Sequence, residues 1–258
     1  MNDEGTIPRK IGVVVATPLK NLSSLADLPR HHTDFMEELA ILTSDPTCPF
    51  EFTWATVDMG IVPARNKIVA NFLQGPCRWL LWKDVDIVAK AAHVLRLISR
   101  KLPIIGGLYT TKEEHAHWVA NFLFEAEPQK DTVLQVVECG TGLKLYHREV
   151  FEKLAEHWPQ IAYTDRDTGE KLHGFFQHAV IYHDLQAAGD LLAEDYFCDF
   201  LCRQLKISIW VDTAIKLRHE AHDGTLYPKG DFPPIPGLVA EKYPTDIPNC
   251  GTIAYQRR

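Results

Sequence analysis

Short unbroken apolar runs and longer stretches of helical period take turns along the first half of the chain. Residues 10–16 (KIGVVVA) are rich in β-branched side chains and read as a buried first strand that ends in a turn at Thr17 and Pro18. Residues 25–43 place Phe35, Met36, Leu39 and Leu42 at helical spacing, which predicts an amphipathic helix closed by Pro46 and Pro49. Residues 50–57 alternate as a second strand. Residues 62–73 read as a helix with Pro63 in its first turn, Ile68, Val69, Phe72 and Leu73 facing inward, and Gly75-Pro76 as its stop. Residues 79–82 (WLLW) lack polar alternation, as expected of a strand covered on both faces of a mainly parallel sheet. Residues 91–101 predict the next helix. Residues 103–109 predict the next strand, whose Gly106-Gly107 pair permits another backbone or a ligand to come close.

The second half is more mixed. Residues 117–125 and 133–138 predict two strands paired across a polar turn, followed by Cys139-Gly140-Thr141-Gly142, a strand over 143–147 and a helix through Val150, Phe151 and Leu154. Residues 163–171 read as a charged loop. Residues 193–205 read as a helix headed by Glu194 and Asp195, where acids suit the dipole. Residues 207–217 form a late strand ending near Arg218 and His219, and from Asp223 the composition shifts to Gly, Pro and polar residues. The expected architecture is an α/β sandwich over residues 1–222, with a mainly parallel central sheet flanked by helices, and an irregular tail over 223–258 able to close over a site.

Composition removes several classes of function. The 258 residues suffice for a sizeable core, and 46% hydrophobic with 24% charged residues is ordinary for a globular protein. No apolar stretch approaches the roughly 18 to 20 residues that span a bilayer, and the first ten residues lack a signal-peptide pattern, so the expected location is the cytoplasm. A formal charge of -7 argues against a broad nucleic-acid surface; Arg96, Arg100 and Lys101, and Arg257 with Arg258, read as solvated basic faces. Six cysteines without paired-ligand spacing read as reduced thiols. The chain has no phosphate-binding P-loop, no HExxH and no GxSxG, and Gly140-x-Gly142 lacks the third glycine of a dinucleotide fingerprint.

What remains is a pair of carboxylates. Asp84 and Asp86 follow the buried run directly, and two acids at such a strand end need a counter-charge, a metal ion or open water close by. In open α/β sheets that strand end is also where ligands bind. Arg65 and Asn66 precede the pair on a helix; Gly140-x-Gly142, Glu194-Asp195 and His219 follow it.

In this order the motifs resemble the GT-A-fold glycosyltransferases. The piece Ala64-Arg65-Asn66 through Trp79 to Val88 is locally similar to the fungal mannan-polymerase mannosyltransferases. The resemblance implies a metal-dependent transfer of a sugar from a nucleotide-diphosphate donor, a UDP- or GDP-sugar, to a hydroxyl acceptor. It implies Asp86 as a direct ligand of Mn²⁺ or Mg²⁺, Asp84 at the ribose or at the metal through water, and His219 as a third ligand that favours Mn²⁺, with His222 competing. Thr17, Pro18, Arg65, Gly106 and Gly107 would line the donor; Tyr109, Gly140 and Gly142 would lie toward the acceptor; Glu194 and Asp195 would supply the catalytic carboxylate. Without the resemblance, Arg65 reads equally as a surface helix residue, His219 as a structural histidine, the two acids as a favoured helix start and the glycines as turns. The chain is shorter than the mannan-polymerase enzymes and shows no anchor, which points to a prokaryotic or viral setting. The acceptor is then a glycan, a small molecule or a hydroxymethylated DNA base. Two rivals keep part of the pattern. A non-catalytic sugar-nucleotide-binding protein would need no Glu194-Asp195 pair, and a nucleotidyltransferase would carry a Gly- and Arg-rich loop where Thr17 to Asn21 stand.

Overall fold

The alternation of apolar runs and helical stretches yields β1 (Ile11–Leu19), α1 (Arg30–Ser44), β2 (Phe50–Asp58), α2 (Ile61–Gln74), β3 (Trp79–Lys83), β4 (Ile87–Val88), α3 (Ala91–Ser99) and β5 (Ile104–Tyr109). Then come β6 (Ala120–Phe122), β7 (Val133–Cys139), β8 (Leu143–His147), α4 (Arg148–His157), β9 (Ala162–Thr164), β10 (Lys171–His173), β11 (Ala179–Ile181) and β12 (Asp190–Leu192). The chain closes with α5 (Glu194–Gln204), β13 (Ile209–Glu220), β14 (Leu226–Tyr227) and β15 (Ile253–Ala254). The computed structural model describes residues 10–19, 28–122, 133–181, 189–233, 235 and 253–254.

The central sheet runs β2-β1-β3-β8-β5-β13-β7-β6. β3 is buried at every position. Its side chains alternate between two cores: Leu80 and Trp82 face the α2 and α5 side with Ile68, Phe72, Phe197 and Leu201, whereas Trp79 and Leu81 face the α1 and α3 side with Phe35, Leu39, Val94 and Leu97. The absence of polar alternation in residues 79–82 is thus the signature of a strand with helices on both faces.

The expected mainly parallel sheet is corrected to a mixed one. β1 pairs in parallel with β2 and β3, and β5 with β13, but β8 runs antiparallel between β3 and β5, and β7 antiparallel beside β13. β7 and β8 run in the same direction with β5 and β13 between them, and because residues 140–142 deliver the chain to the edge where β3 and β5 end, β8 has to run against both of its neighbours.

Other expectations shift at element ends. Thr17 and Pro18 continue β1 opposite Thr56 and Val57 of β2; β3 has stopped pairing at Ala16, so the missing proline N–H costs no bond on that side. The first helix starts at Arg30, after Pro29; residues 25–27 of its expected span lie outside the described residues. The charged loop at 163–171 is a hairpin, β9 against β10, whose turn is closed by the Asp165 carboxylate accepting from the Asp167 and Thr168 amides. The pairing of β6 with β7 is antiparallel as expected, with residues 123–125 of the expected first strand outside the described residues. The tail begins with β14 on β13, and Phe232 stacks on Trp118; residues 236–252 and 255–258, with Cys250 and the Arg257-Arg258 cluster, lie outside the described residues. The described cysteines are free thiols.

Candidate active site

β1, β3, β5 and β13 end on the same side of the sheet, and the antiparallel β8 starts there. The acidic turn after β3 is stitched into that edge by backbone bonds. The Asp84 amide donates to the Gly142 carbonyl at 3.0 Å, the Ile87 amide to the Asp84 carbonyl at 3.2 Å, and the Glu220 amide to the Asp86 carbonyl at 2.8 Å. β4 then pairs Ile87 with His219 and Val88 with Arg218.

Asp84 faces inward to Arg65. The guanidinium Nη2 lies 3.3 Å from Oδ1 and Nε lies 3.6 Å from Glu194 Oε1, with the Arg65 side chain only 3% exposed. The cation sits over the rings of Trp82 and Phe176, at 5.0 and 5.8 Å. Burial pushes the Asp84 carboxyl up; Arg65 draws it back, and Asp86, Asp195 and Glu194 push it up again, for a net rise. Arg65 is buried and not a surface helix residue, and it forms the internal link between the acidic turn and the head of α5.

Asp86 faces a wetter space. Its Oδ2 lies 2.5 Å from Lys112 Nζ and 3.2 Å from His219 Nε2. Burial opposes ionisation, but hydrogen bonds and charge from His219 and Lys112 outweigh it and hold this carboxyl well below the usual range. His219 Nδ1 lies 2.9 Å from the Thr110 carbonyl, which can only accept, so Nδ1 carries a proton; Nε2 faces Asp86 and donates to it when it too carries a proton. Among the described residues, no three His, Cys, Asp or Glu side chains gather as a ready metal cluster. The expected set divides: Asp86 and His219 meet, Asp84 is turned to Arg65, and His222 stands exposed in the turn after β13.

The remaining expected residues sort by what fills the space beside them. A Cβ at Gly107 would strike Ile215, and one at Gly106 would press on the Leu143 carbonyl, so the close approach at both is made by the protein's own atoms. At Gly140 and Gly142 a Cβ would collide with Tyr109. That ring is buried, stands edge-on to His219 at 5.6 Å, and its hydroxyl accepts from the Gly142 amide at 3.2 Å. Thr17 is buried beside β3, and its hydroxyl has no hydrogen-bond partner. Asp195 shares the first turn of α5 with Glu194, and its Oδ1 accepts from the Tyr196 amide at 2.9 Å. Behind this turn, Lys144 and Asp199 form a fully buried pair at 2.5 Å, and Asp199 also accepts from the Cys139 amide, which locks α5 to the glycine turn.

Sequence reading missed a second group. Lys83 is fully buried, 2.9 Å from His32 Nδ1; burial lowers it to about 7 and lowers His32 to about 3. His31 lies 3.0 Å from the Val85 carbonyl and 2.7 Å from Glu220. Only Lys83 was close to the acids in sequence; Lys112, His31, His32 and Glu220 arrive through tertiary contacts. Two cavities of about 370 and 360 Å³ lie away from the acids, one lined by Pro103, His147 and Lys206, the other by Thr53, Asn71 and Cys77.

No family model and no curated protein matches this chain, so the local likeness to the mannan-polymerase enzymes is not borne out at the level of family. Solved structures do align with it. A197 from STIV is 14% identical, with a TM-score of 0.48 over 86% of this chain and 96% of that one. A glycosyltransferase involved in glycosylation of the major capsid of PBCV-1 is 13% identical, with a TM-score of 0.33 over 57% and 65%. A nucleoside-diphosphate-sugar pyrophosphorylase from Vibrio cholerae is 12% identical, with a TM-score of 0.36 over 79% and 73%. These are loose alignments, and the chemistry has to be read from the sheet edge itself. Among the described residues no helix is long and apolar enough to cross a membrane.

Proposed function

We propose that this chain is a glycosyltransferase that moves a sugar from a UDP- or GDP-sugar to a hydroxyl acceptor, with Mn²⁺ or Mg²⁺ held at Asp86 and His219. The observation that carries this reading is the His219 ring, fixed through Nδ1 on the Thr110 carbonyl so that Nε2 meets the Asp86 carboxylate at 3.2 Å. A carboxylate and an imidazole fit Mn²⁺, and such ions complete their shell with water and substrate phosphate, so a protein set of two is chemically sufficient. When bound, the cation neutralises the charge that builds on the diphosphate leaving group.

The chain's own residues divide the remaining work. Asp84, held by Arg65 through both of its oxygens, keeps the acidic turn in place beside the donor. Glu194 is committed to Arg65, which leaves Asp195 as the acceptor-side carboxylate. As the acceptor oxygen bonds to the anomeric carbon and the bond to the diphosphate oxygen breaks, the hydroxyl proton passes to Asp195 in an inverting transfer; in a retaining one Asp195 orients the acceptor.

The test is a thermal-shift panel of UDP and GDP with Mn²⁺, Mg²⁺ or EDTA, because a ligand that binds only the native state raises the transition by mass action. One nucleotide is expected to give a shift that EDTA removes. Asp86→Ala should lose that shift and sugar transfer while keeping the native circular dichroism spectrum; unchanged transfer would sink the assignment.

A further inference from the structure

Asp84 and Asp86 stand one residue apart but hold their cations in opposite ways. Arg65 is walled in by Trp82 and Phe176 and touches both Asp84 and Glu194, so its departure would strand buried charge. Lys112 reaches Asp86 from the exposed bends after β5, where the Lys112 and Asp86 side chains are 33% and 39% exposed. An ion pair at that exposure is screened by solvent and opens more readily than the buried pair of Arg65 and Asp84. The base of the segment is anchored while its outer part is not: the Thr111 amide donates to the His117 carbonyl and Thr110 bridges to Trp118, whereas residues 112–115 are exposed. The ammonium also rests on the same Oδ2 that His219 Nε2 approaches, the position a divalent cation would take. Two cations cannot share that oxygen at bonding distance without strong repulsion.

We infer that Lys112 is the exchangeable counter-ion of Asp86: it neutralises the carboxylate when no metal is bound, yields to a divalent cation, and then offers its ammonium to the donor diphosphate. The inference rests on the metal-bound donor reading given above. It makes Lys112 an internal competitor for the cation and a ligand for the nucleotide, two roles with opposite signs in a binding experiment.

Calorimetric titration of the full chain with Mn²⁺ alone separates them. Lys112→Met should bind Mn²⁺ about two- to fivefold more tightly than wild type, the factor expected from removing a half-exposed ion pair. Lys90→Met, which deletes the same charge at the start of α3, should leave Mn²⁺ affinity unchanged. In the Mn²⁺-loaded protein, Lys112→Met should then bind UDP or GDP several-fold more weakly. Equal or weaker Mn²⁺ binding by Lys112→Met overturns the inference. Wild-type Mn²⁺ binding that is lost in Asp86→Ala but unaltered in Lys112→Met overturns it alone; absence of any Asp86-dependent Mn²⁺ binding overturns the metal reading and the inference together.

Discussion

Arg65 shows how one buried residue can decide whether a pair of acids is structural or reactive. Its guanidinium lies between Asp84 and Glu194 with almost no contact with water, so deleting it leaves two largely buried carboxylates, 28% and 14% exposed, without their shared counter-charge. Arg65→Met should therefore cost about 3–5 kcal/mol, read from urea unfolding, because an uncompensated buried charge is far more expensive than the lost contact; a loss below about 1 kcal/mol would mean the acids are solvated. His32 gives the same kind of argument a pH axis. Its ring is buried and stays neutral in the fold down to about 3, whereas the unfolded chain protonates it near 6.5. The unfolded state thus binds the extra proton between those values, so stability rises with pH across that window and is lost on acidification. His32→Phe should flatten the pH dependence of the unfolding free energy read from urea titrations between pH 4 and 6.5, by up to about 1.4 kcal/mol per pH unit. An unchanged slope would assign the acid sensitivity to other groups.

At the scale of elements, β8 changes what the site is made of. Because it runs against β3 and β5, its entry turn, rather than an exit loop, borders the acids, and Gly140 and Gly142 are the positions over which Tyr109 lies. Gly140→Ala should push that ring and its neighbour Val119, at about 1–3 kcal/mol measured by thermal or urea denaturation. The strand-helix order was legible because residues 79–82 and the helical stretches carry clear periods. The direction of β8 was not, since apolar periodicity is blind to which way a buried strand runs. Thr17 and Pro18 misled for a related reason: a proline signals a turn unless the neighbouring strand has already ended, and that depends on register.

Across the whole molecule, the sequence was informative where chemistry is local and silent where it is assembled. Asp84-x-Asp86 after an apolar run and Glu194-Asp195 heading a helix could be picked out because each is a contiguous pattern. His219 was set beside Asp86 only through the resemblance, and the pairings of Arg65 with Asp84 and of Lys112 with Asp86 were not legible, because these residues lie on α2, after β5 and on β13 and only the sheet order brings them together. The glycines at 106 and 107 were visible as sites of close approach, but what approaches is Leu143 and Ile215, which no spacing reveals.

The backbone bonds from Asp84 to Gly142 and from Glu220 to Asp86 fasten the acidic turn to β8 on one side and β13 on the other. None of these attachments passes through the exposed bends at 112–115. Residues 113–115 can therefore change in length or charge while these bonds keep the two acids in place, whereas Lys112, which meets Asp86 directly, is not free to vary in the same way.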